Sequence, residues 1–140
     1  MINSFESYIQ NATVEKKLPD IHQAHALMDK AQKRLRYVKE RPVLQESAEF
    51  IFEDSYDVMR EAGQALMTVQ GFKPLSHEAV IAFLHDKEGV DKATVEKFDS
   101  FRRLRNKSLY EAHEISAAKA MEALKFAEEL FTILRSKLKA

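Results

Sequence analysis

The sequence predicts an all-α fold, an up-and-down bundle of about five helices. Three observations carry this. Four long segments place apolar residues at helical spacing. Only 3 Gly and 3 Pro occur in 140 residues, too few for the turns of a β-sandwich or barrel. Capping residues stand where several of the periodic segments begin. With 45% hydrophobic and 31% charged residues, the chain can build one buried core under a charged surface.

Residues 1–18 are weakly patterned and are expected to form an arm or a short helix, followed by a single domain over 19–140. Pro19-Asp20 opens the first long helix, with Asp20 as cap or first-turn acid. Its apolar stripe is Ile21, Ala24, Leu27, Met28, Ala31, Leu35 and Val38, and Pro42 ends it. A second helix is predicted from about Leu44 to Val69, stopped by Gly71 and Pro74. Ser76 caps a short third helix from His77 to about His85, apolar over most of its surface and so expected to be buried. After a loop at Glu88–Asp91, a fourth helix begins near Thr94. Ser116 caps the fifth, with Ala120, Met121, Leu124, Ala127, Phe131, Leu134 and Leu138 inward.

Formal net charge is zero, so no global field draws the chain to nucleic acid; any such binding must come from a local patch. The lack of cysteine excludes disulfides and cysteine ligands and fits a reducing cytoplasm. No stretch resembles a signal peptide or a bilayer span, so a cytoplasmic protein with no membrane partner is expected.

Two charge runs have an ordinary structural explanation. Lys30, Lys33, Arg34, Arg36, Lys39 and Arg41 close the first helix; Glu46, Glu49, Glu53, Asp54, Asp57 and Glu61 open the second. A short connection makes these helices antiparallel and lays the runs side by side.

The stretch from Arg102 to Tyr110 is different. Phe98, Phe101, Arg105 and Leu109 fall on one helix face, which puts a guanidinium within an apolar stripe. Arg105 must then be paired with a carboxylate, for which Asp54 is a candidate, or held at an interface or cleft. Arg102, Asn106 and Tyr110 form the adjoining stripe, suited to phosphate. His113 would extend that stripe if the helix continued. His22, His25 and Asp29 have metal-like spacing but no further ligand, so no metal is expected. His77 and His85 are expected to be structural.

The order of features resembles the HEPN superfamily, small helical domains of prokaryotic toxin and nucleotidyltransferase systems. Gly71–Leu84, with its Ser76-His77 pair before an apolar run, is similar to that family's turn and short helix. Arg103–Tyr110 is similar to its polar motif, and Ile115-Ser116 with Ala120–Phe131 to its capped last helix. The chain departs from the ribonuclease members, which carry a His four to six residues after the Arg. Here Tyr110 stands in that place, Leu109 replaces the Asp of a related Tyr-bearing branch, and His113 lies outside the spacing.

The resemblance implies a homodimer with facing motifs, a minimal nucleotidyltransferase as partner antitoxin, and RNA or a nucleotide as ligand, without a cofactor. It makes Arg105, Asn106 and Tyr110 candidate catalytic residues of a metal-independent endoribonuclease. Arg102, Arg103, Lys107 and His113 become candidate RNA- or phosphate-binding residues. Tyrosine is a poor base at neutral pH, so the residues suit phosphate contact better than cleavage. Three readings remain open: a HEPN-type ribonuclease or toxin, a non-catalytic HEPN-type module binding RNA or nucleotide, and a structural helical protein.

Overall fold

The computed structural model describes residues 2–138. Its elements are α1 (Phe5–Gln10), β1 (Val14–Lys16), α2 (Ile21–Lys39), α3 (Ala48–Gln70), β2 (Phe72–Pro74), α4 (His77–Asp86), α5 (Lys92–Glu111) and α6 (Ala117–Lys137). This is the all-α bundle that the periodicity predicts, with five principal helices and one short one. No helix of the described residues is long and apolar enough to cross a membrane.

Local chemistry sets the helix starts. The side chains of Asp20, Ser76 and Ser116 accept the backbone N–H groups of Gln23, Ala79 and Lys119. Asp91, predicted as loop, does the same for Thr94, so α5 starts at Lys92. The α3 helix begins at Ala48 rather than Leu44, because the Ser47 hydroxyl closes a turn with Pro42 and Leu44.

The α3 helix is the axis of the core, packing along α2 and α6 and against α4 and α5. The two charge runs meet between α2 and α3 as predicted. Arg34 donates to Glu61 at 2.9 Å and to Asp54 at 3.1 Å, and Lys30 lies 3.6 Å from Glu61. Asp54 therefore belongs to Arg34, and the expected pairing of Asp54 with Arg105 is not made. Lys39 reaches Glu128 on α6.

The first residues do more than a loose arm would. Phe5 is fully buried and meets Phe72 and Phe83 edge to face, with ring centroids 5.1 and 5.2 Å apart. The β1 strand pairs antiparallel with β2, matching Glu15 to Lys73. Between α3 and β2, Gly71 has φ +88°, and a Cβ there would sit 2.6 Å from the Lys17 carbonyl oxygen, so both conformation and space require glycine. The α1 helix then grips α4 at both ends. The Phe5 N–H donates to Asp86 at 2.7 Å, and the Tyr8 hydroxyl donates to Glu78 at 3.3 Å.

Two inward predictions fail. Leu109 is 43% exposed and Met121 51% exposed. On α5 the buried face follows Phe101 to Ser108, which lies about 20° from it around the helix, whereas Leu109 lies about 80° away at roughly 100° per residue. The other predicted inward residues there, Ala120, Leu124, Ala127, Phe131, Leu134 and Leu138, are buried as expected.

Candidate phosphate-binding site

Six residues line one 290 Å³ pocket: Arg102, Arg105, Asn106 and Tyr110 of α5, and His77 and Glu78 from the first turn of α4. The structure thus brings together the polar stripe that the spacing places on α5. It adds two residues some 30 positions earlier in the chain.

Arg105 takes the cleft position among the alternatives open to it. It is half-buried, and its guanidinium carbon lies 5.3 Å from the centroid of the Tyr56 ring, a cation–π placement. Among the described residues no carboxylate reaches ion-pair distance of it, and its Nε is buried with no hydrogen-bond partner. Glu53 of α3 feels its field: burial raises the Glu53 pKa and the Arg105 charge opposes that rise.

Arg102 is already engaged. Its Nε donates to Asp99 at 2.7 Å and its Nη1 lies 3.7 Å from Glu78. Asp99 is itself buried between Arg102 and Arg103, the latter at 3.5 Å.

His77 is tied to α3. Its Nδ1 lies 2.9 Å from the Tyr56 hydroxyl, and Tyr56 is fully buried. Burial raises the Tyr56 pKa against the pull of Arg105, Arg102 and Arg60, so the hydroxyl keeps its proton. Among the described residues this is its one hydrogen bond, and a buried O–H left without an acceptor is costly. The hydroxyl therefore donates to Nδ1, and the ring proton sits on Nε2, the nitrogen left for the pocket. Burial, reinforced by Arg60 and Arg105, lowers the His77 pKa to about 4. At neutral pH His77 is thus an uncharged N–H donor.

The remaining candidates lie elsewhere. Arg103 lines a larger 620 Å³ hollow between α1, α4 and α5, whose polar rim is largely satisfied internally: Asp86 by Phe5, His85 by the Val90 carbonyl, and Arg103 by Asp99. Lys107 is exposed. The α5 helix ends at Glu111 with Ala112 left-handed at φ +52°, so His113 leaves the stripe and uses its N–H to cap the Lys107 carbonyl. Among the described residues no group of three or more His, Cys, Asp or Glu is placed to hold a metal, the His22–His25–Asp29 pattern included.

Sequence reasoning missed Tyr56, Glu78 and Asp99 and took His77 as structural. The Ser76-His77 pair was a usable signal: a cap at Ser76 fixes His77 at the open end of α4. No family model matches the chain, and neither curated proteins nor solved structures give a match.

Proposed function

We propose that the protein is a HEPN-like module that binds a phosphate group of RNA or of a nucleotide in the pocket between α4 and α5. One observation carries the reading: the half-buried Arg105 guanidinium, with an unpartnered buried Nε and no carboxylate at ion-pair distance among the described residues. An anion in the pocket would supply the hydrogen-bond partner that this nitrogen lacks. Asn106, Tyr110 and His77 supply neutral donors around it.

Binding is favoured over cleavage by the state of His77. Its Nε2 carries the ring proton, so this nitrogen cannot take a proton from a 2′-hydroxyl. Tyr110, 81% exposed, is a flat surface on which an unstacked base can lie. Leu109, exposed on the same turn, offers apolar area to a second copy of the chain, and a two-fold dimer there would set two pockets near each other.

The test is incubation of single-stranded RNA with the wild type and Arg105→Ala, followed by binding and by gel analysis of products. Binding that the substitution abolishes, with intact RNA throughout, supports the module. Cleavage lost in Arg105→Ala would favour the ribonuclease reading instead.

A further inference from the structure

The charges around the pocket set the kind of phosphate it takes. Three guanidiniums stand on this part of α5: Arg102 and Arg105 line the pocket, and Arg103 lines the neighbouring hollow. Two carboxylates answer them. Asp99 lies between Arg102 and Arg103 at 2.7 and 3.5 Å, and Glu78 approaches Arg102 at 3.7 Å. Glu78 also lines the pocket itself. His77 presents a neutral donor, because the Tyr56 hydroxyl occupies its Nδ1 at 2.9 Å. Asn106 and the Tyr110 hydroxyl add neutral groups. Arg105 alone of the three has no carboxylate at ion-pair distance among the described residues, Glu53 acting on it only from farther away.

Resting on the phosphate-binding reading above, we infer that the pocket is matched to a single negative charge, the phosphodiester inside an RNA chain, and discriminates against the doubly charged terminal phosphate of a nucleotide. A diester carries one charge at any pH near neutrality. A terminal phosphate loses its second proton near pH 6 and is a dianion above that. The second charge would face Glu78 across the pocket, and the remaining cation of this region, Arg60, is held by Asp57 at 3.3 Å. Repulsion between unit charges a few ångströms apart at a partly buried site is enough to cost about tenfold in affinity. Of the other charged side chains of α3 acting on this region, Asp57 and Arg60 oppose each other and Glu53 adds to the repulsion.

The experiment is an NMR titration at low salt with two probes, the dinucleoside monophosphate ApA and the mononucleotide AMP, at pH 7.5 and pH 5. His77 stays predominantly neutral over that interval, and proton uptake by Glu53, whose pKa burial raises, acts on both ligands alike once both are monoanions. The expected result is ApA about tenfold tighter than AMP at pH 7.5, with the ratio narrowing at pH 5, where AMP is a monoanion. Taking the ratio at each pH cancels charge changes on the protein that act on both ligands alike. Glu78→Gln should narrow the ratio at pH 7.5, and Arg105→Ala should lose both ligands. AMP bound as tightly as ApA at pH 7.5, or a ratio unchanged by pH, would overturn the selectivity while leaving phosphate binding intact. Neither probe binding would overturn the phosphate-binding reading and this inference together.

Discussion

Arg105 and Arg34 show how differently two half-buried arginines act. Arg34 neutralises Glu61, whose side chain is 3% exposed, and its hydrogen bond to that acid raises its own pKa further. Removing Arg34 leaves a buried carboxylate with only the exposed Lys30 for support. Arg34→Ala should therefore cost about 3 kcal/mol in urea unfolding. Arg105 stabilises no acid at ion-pair distance, so Arg105→Ala should change stability by less than about 1 kcal/mol and act on binding instead. A stability loss equal to that of Arg34→Ala would mean that Arg105 has a structural partner. His77 gives a pH signature. Its pKa is about 4 in the fold against 6.5 unperturbed. Between those values the unfolded chain binds a proton that the folded chain refuses. Its contribution is fully present above about pH 6.5 and is lost as pH falls towards 4. The ring is half-buried, so solvent screening leaves about 1–2 kcal/mol of effect. His77→Gln should flatten the stability–pH curve over that window by this amount, and parallel curves would show that the ring is not desolvated.

At the scale of elements, the site depends on how closely α4 approaches α3. Gly63 makes that approach, since a Cβ there would fall 2.5 Å from Val80 Cγ1. Gly63→Ala should cost about 1–3 kcal/mol and displace α4, moving His77 away from Tyr56. The readout is loss of the Nε2–H form of His77 in its ¹⁵N spectrum, and a spectrum unchanged by the substitution would contradict this placement. The helices themselves were legible because each buried stripe repeats within its own segment and Asp20, Ser76 and Ser116 mark the starts. Four of the six lining residues were legible for the same reason: Arg102, Arg105, Asn106 and Tyr110 share one helix, where spacing alone decides proximity. The rest was not. His77 and Glu78 join them through tertiary packing of α4, and α1, which holds Glu78 through Tyr8, has too short a pattern to show its face. Leu109 was misread because the buried face of α5 follows Phe101 to Ser108 and leaves Leu109 about 80° away near the helix end.

Over the whole molecule, zero net charge conceals a separation of roles. The α2–α3 seam consumes opposite charges for stability, and the α4–α5 pocket keeps one cation, Arg105, out of any ion pair among the described residues. The protein should therefore bind RNA without the broad electrostatic pull of a basic protein, through few phosphate contacts and with a shallow salt dependence. The exposed Leu109 and Tyr110 bordering the pocket lead us to expect a dimer at micromolar concentration by sedimentation, one that Leu109→Glu dissociates without unfolding. A stable monomer would remove the second pocket from the account. The most direct test of the central claim is the affinity for a labelled single-stranded RNA, measured by anisotropy over a series of salt concentrations for wild type and Arg105→Ala. The account expects Arg105→Ala to bind at least about tenfold more weakly, with the slope of log affinity against log salt reduced by about 1. Equal affinity and equal slope for the two proteins would contradict it.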